Sequence, residues 1–94
     1  MRPTHKNKIH VGEEVELITF NGLATAPQGT DVNEDFWQLI GTTGKVISEN
    51  PPKTIAQDRL LIQFNANLTA LGLPCHNDAQ NSLWISVSDI GQIS

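Results

Sequence analysis

The chain has 94 residues, ten acidic side chains against six basic ones and a formal charge of −4, which fits one domain with one modest core. Its single cysteine, Cys75, excludes an internal disulfide framework, and no run of about 18 apolar residues offers a membrane-spanning helix. Uncharged polar side chains are abundant, with eight Asn, six Gln, eight Thr and five Ser.

Charge is unevenly spread. Arg2, Lys6 and Lys8 fall in the first eight residues, whereas residues 9–94 carry Lys45, Lys53 and Arg59 against all ten acids, a net of −7. Residues 1–8 read as a disordered basic lead and residues 9–94 as the folded domain. The opening stretch has charges without an apolar run, so the expectation is no secretory leader and a cytoplasmic protein. On that expectation the sequon at Asn67 is chance. An acidic body repels phosphate backbones, which disfavours nucleic acid as a partner.

Residues 11–20 predict a first strand. Val15 and Leu17 alternate with Glu14 and Glu16 at the period of a half-buried strand, and Ile18 and Phe20 break the phase. Residues 21–35 are rich in Gly, Thr, Pro and Asp and read as a long loop. An apolar return follows at Phe36, Trp37, Leu39 and Ile40. Gly41-Thr42-Thr43-Gly44 predicts a tight turn or bulge with glycines at positive φ, then a short strand over 45–48. Pro51 and Pro52 keep residues 49–58 out of any ladder. Residues 59–65 form the cleanest strand, with Leu60, Ile62 and Phe64 on one face. Residues 66–73 predict one helical turn, capped by Asn67 and stopped by Gly72 and Pro74. A polar loop spans 75–81. The last strong strand covers 82–87, with Leu83, Ile85 and Val87 facing in, and a short turn over 88–91 precedes a terminal stub.

These elements predict an all-β fold: a small, five-stranded, partly open barrel with a long first loop and one short helical turn. The order of the strand at 11–18, the glycine turn at Leu39-Ile40-Gly41-Thr42-Thr43-Gly44-Lys45-Val46, the strand at 59–64 and the strand-and-turn at 82–90 resembles the Src-homology-3-like (SH3-like) barrel. The glycine passage is similar to that of ribosome- and transcription-associated members of this fold. The resemblance covers about residues 11–93 and speaks to fold, since this architecture hosts many roles. The peptide-binding branch carries a groove of tyrosines. This chain has no Tyr, so proline-rich-peptide recognition is not carried over.

Alternation that turns Leu83, Ile85 and Val87 inward places Trp84 outward. It then reads either as a partner anchor or as second-layer core beneath the long loop. Phe36 and Trp37 pose the same question. With Asp31, Glu34 and Asp35 beside them they make an aromatic-acidic face. Trp37 next to Trp84 would be an apolar patch of the kind that marks an interface. Glu13, Glu14 and Glu16 read as a solvated strip or as an acidic surface for a basic partner. Cys75 and His76, with Asp78 nearby, are the chemically suggestive group. As a nucleophile the pair lacks an orienting third residue, and with His5 and His10 it lacks zinc spacing. The sequence therefore predicts a non-enzymatic protein-interaction module without cofactor, monomeric or weakly dimeric, docking through Trp84, Trp37 and Phe36. A metal- or thiol-dependent site at Cys75, His76 and Asp78, and a nucleic-acid-associated barrel, are the alternatives.

Overall fold

A computed structural model describes residues 9–75, 77 and 79–93; the basic lead, His5, His76 and Asp78 lie outside them. The protein is all-β. Five strands, β1 (Glu14–Leu17), β2 (Thr43–Ser48), β3 (Arg59–Phe64), β4 (Ser82–Ser86) and β5 (Ile90–Gln92), form one open antiparallel sheet in the order β4-β3-β2-β1-β5. Three single 3-10 turns occur at Val32–Glu34, Phe36–Leu39 and Val87–Asp89. Among the described residues no helix is long and apolar enough to cross a membrane.

Strand alternation builds the core. Val15 and Leu17 of β1, Val46 of β2, Leu60, Ile62 and Phe64 of β3, Ile85 of β4 and Ile90 of β5 are buried on one side of the sheet. Leu39, Leu68 and Leu73 close the core from the loops. Each fully buried side chain of this size contributes about 1.5–3 kcal/mol of transfer free energy, so loop residues are as necessary to the core as strand residues.

The helical turn over 66–73 is present, with the expected chemistry. Asn67 Oδ1 accepts from the Ala70 N–H at 3.2 Å. Gly72 has φ +78°, and paired bonds from Gly72 N–H to Thr69 O and from Leu73 N–H to Leu68 O end the turn. This is the Schellman arrangement, and Leu68 and Leu73 are its apolar contact.

Four expectations need correction. The first strand spans only four residues, Glu14–Leu17, and Val11 and Ile18 lie outside it at exposed positions. Gly44 is not a turn residue but a buried strand position in the register Val15–Gly44–Phe64. A Cβ there would lie 2.6 Å from the Gln63 carbonyl oxygen and 2.8 Å from Ile62 Cγ2, so glycine serves close approach of strands rather than positive φ. Val87 leaves the core side because the chain enters the 3-10 turn at that residue, and it is 44% exposed. The terminal strand begins at Ile90 instead of following a turn over 88–91.

Candidate functional site

The segment between β1 and β2 is not one open loop. It starts with a tight reversal at Phe20-Asn21-Gly22-Leu23, closed by reciprocal bonds between the Phe20 and Leu23 backbones at 2.9 and 3.0 Å. Asn21 has φ +53° and Gly22 φ +81°, the pair of left-handed positions that an Asn-Gly type I′ turn requires. Asp89 holds the reversal from across the sheet. Its carboxylate, 1% exposed, accepts from Thr19 Oγ1 at 2.6 Å, Asn21 N–H at 3.0 Å and Gly22 N–H at 2.9 Å.

The reversal positions Phe20 against the 3-10 turn at Phe36–Leu39. That turn sends Leu39 into the core and leaves Phe36 and Trp37 half-buried. The Phe20 ring stacks on Phe36 with centroids 5.5 Å apart and meets Trp37 edge-to-face at 4.9 Å, the geometries aromatic quadrupoles favour. The three rings, Glu34, Asn33 and Pro74 help line an open depression of about 700 Å³. The carboxylates of Asp31 and Glu34 are exposed beside it, and Asp35 is half-buried.

Two polar atoms in this cluster stand out. The Trp37 indole N–H and Asp35 Oδ1 are buried and make no hydrogen bond among the described residues. Each such group costs about 1–3 kcal/mol, and a native structure holds few of them.

Trp84 lies elsewhere. It is half-buried on the outer side of β4, opposite Leu61 of β3, and is not among the residues lining the aromatic depression. Trp37 has Phe20, not Trp84, as its ring partner. The structure thus brings Phe36, Trp37 and Glu34 together and leaves Trp84 on a separate surface. Ser82 and Ser86, on the Trp84 side of β4, are buried under loop contacts.

Cys75 is half-buried and free. Its thiol faces the carbonyls of Ala79 at 3.3 Å, Ser82 at 3.5 Å and Asn77 at 3.8 Å. Burial pushes the thiol up, but hydrogen bonds with the backbones of Ser82, Asn77 and Asn81 and with the Ser82 side chain outweigh it and hold the thiol below its ordinary 9.0. Among the described residues no group of three His, Cys, Asp or Glu side chains could hold a metal.

Sequence reasoning missed Phe20, Pro74 and Asp89. The Asn-Gly dipeptide between Phe20 and Leu23 was a direct signal for the reversal, and hence for Phe20. Nothing local marks Asp89, whose partners lie 67 to 70 residues away. In comparisons with known proteins, no family model, no curated protein and no solved structure matches the chain.

Proposed function

We propose that the chain is an SH3-like barrel acting as a non-enzymatic, cytoplasmic protein-interaction module. It docks a basic protein segment at the depression formed by Phe20, Phe36 and Trp37. Support for the barrel reading comes from the strand order β4-β3-β2-β1-β5 and the 3-10 turn between β4 and β5. The observation that carries the functional reading is the open depression that Phe20, Phe36 and Trp37 line together with Glu34. Exposed Asp31 and Glu34 and the net −7 of residues 9–94 select for positive charge and raise the association rate. The same charge weighs against the nucleic-acid alternative.

The test uses wild-type protein as bait to identify a partner, followed by binding kinetics with both components purified. Trp37→Ala should cost at least about 2 kcal/mol of affinity, as central aromatic anchors do. Glu34→Gln with Asp31→Asn, both at exposed positions, should slow association and flatten its salt dependence without lowering the melting temperature. Unchanged kinetics in the carboxylate variant, or unchanged affinity in a folded Trp37→Ala protein, would refute the assignment.

The thiol alternative rests on the lowered Cys75 thiol. Wild-type behaviour of Cys75→Ser, together with the absence of stoichiometric metal in the purified protein, would remove it.

A further inference from the structure

A second depression, of about 690 Å³, adjoins the aromatic one, and the two share Asn33 and Pro74. Its volume falls within the roughly 300–1,000 Å³ of small-ligand sites. Amide residues and one hydroxyl residue line it, Asn33, Asn67, Thr69, Asn77, Gln80 and Asn81, with the Cys75 thiol beside them. Among the described residues no charged side chain lines it.

Half of this array is fixed by the fold. Asn67 Oδ1 is held by the Ala70 N–H and Asn81 Oδ1 by the Leu68 N–H at 3.0 Å, so each keeps its NH2 donors for another partner. Asn77 is held the opposite way: its Nδ2 donates to Ser82 O at 2.8 Å, leaving Oδ1 as an acceptor. The side chains of Asn33, Thr69 and Gln80 make no hydrogen bond among the described residues. Two amide donors, on Asn67 and Asn81, and one amide acceptor, on Asn77, are therefore held in place before any ligand arrives.

Ligand chemistry follows by matching. An anion would need a cation, and among the described residues the lining has none. A cation would need a carboxylate there, and a purely apolar ligand would strand the amides. A hydroxyl, which donates and accepts at once, fits a lining that offers both held NH2 donors and a held C=O acceptor. Pro74, and beyond it Phe36 and Trp37, offer apolar surface for C–H faces. From this we infer that the amide-lined depression binds a neutral saccharide, extending toward the aromatic rings.

The experiment titrates 15N-labelled protein with maltotetraose and, separately, chitotetraose, following the side-chain NH2 resonances of Asn67 and Asn81. The expected result is a saturable shift of both with at least one sugar, at a Kd near 1 mM, so that roughly 10 mM sugar approaches saturation. The double variant Thr69→Val, Gln80→Ala should weaken that binding about thirtyfold, two lost hydrogen bonds at about 1 kcal/mol each, with the remaining spectrum unchanged. Neither residue lines the aromatic depression, so protein docking there is unaffected and the two proposals fail separately. No saturable shift with either sugar overturns the inference. So does wild-type affinity in the double variant. An equal shift with an acetylated tetra-alanine amide also overturns it, since the array would then read peptide amides.

Discussion

Removing the Asp89 carboxylate tests how the loop that carries the aromatic rings is held. Asp89 is buried at the end of a 3-10 turn, and its side chain receives three donors from residues 19, 21 and 22. Hydrogen bonds to a charged group contribute about 1.5–3 kcal/mol each. The Asn21 and Gly22 N–H groups belong to exposed residues and regain water when the carboxylate goes, whereas the Thr19 hydroxyl is only half-exposed. Discounting the two solvated donors leaves a loss of about 3 kcal/mol for Asp89→Ala. That is a large share of the roughly 5–15 kcal/mol that holds a domain together. For a chain of this length it lowers the melting temperature by about 12–24 °C. Asp89→Asn keeps one carbonyl oxygen but turns an NH2 toward a donor, and it should lose about half as much. Thermal melting gives the magnitude, and amide hydrogen exchange at Asn21 and Gly22 gives the location. In Asp89→Ala both amides should exchange far faster than in wild type. A melting temperature within about 4 °C of wild type, with exchange at Gly22 unchanged, would refute the claim that Asp89 anchors the reversal.

Two further outcomes follow from local geometry. Gly44→Ala places a methyl against the Gln63 backbone and Ile62. It should destabilise by about 1–3 kcal/mol, read as a lower urea midpoint at unchanged slope. The Cys75 thiol, held below 9.0, should alkylate with a pH midpoint below that of the unfolded chain. Because the fold favours the thiolate, its contribution to stability is complete above about 9.0 and is lost as pH falls through the folded value. In Cys75→Ser the urea midpoint should lose that part of its pH dependence.

The parts of the fold that were legible in the sequence are those with a local cause. Leu60, Ile62 and Phe64 alternate over a whole strand, and all three are buried. Asn67 and Gly72 cap and stop a turn because their own side chain or backbone performs the task. Gly44 misled because glycine's freedom at positive φ and its lack of a Cβ are separate properties, and only the strand partners decide which one is used. Val87 followed the alternation that Leu83 and Ile85 began, but the chain leaves the sheet one residue earlier, and periodicity does not signal where a strand stops. The site was half legible. Phe36, Trp37 and Glu34 are consecutive enough to share a surface, Phe20 is signalled only indirectly by the Asn-Gly reversal beside it, and Pro74 reaches them through tertiary packing alone. Trp84 was paired with Trp37 on composition, and the sheet places it opposite Leu61.

The arrangement of β4 bears on how the open edge of the sheet is covered. β4 is an edge strand, and an open edge invites another strand. Phe64 N–H donates to Asn81 O at 2.7 Å, so in the antiparallel register the Ser82 and Trp84 carbonyls point away from β3. Both are already occupied. Asn77 Nδ2 donates to Ser82 O at 2.8 Å, and the Arg59 guanidinium donates to Trp84 O at 3.1 Å. Side chains thus occupy two of the acceptors that an added strand would use. Arg59 does more than cover the edge, because its second nitrogen reaches Asn21 Oδ1 at 3.3 Å. The edge cap, the Asn-Gly reversal and the Asp89 anchor therefore form one connected set of hydrogen bonds ending at Phe20. Arg59, which occupies an edge acceptor of β4, thus also bonds the reversal that positions Phe20.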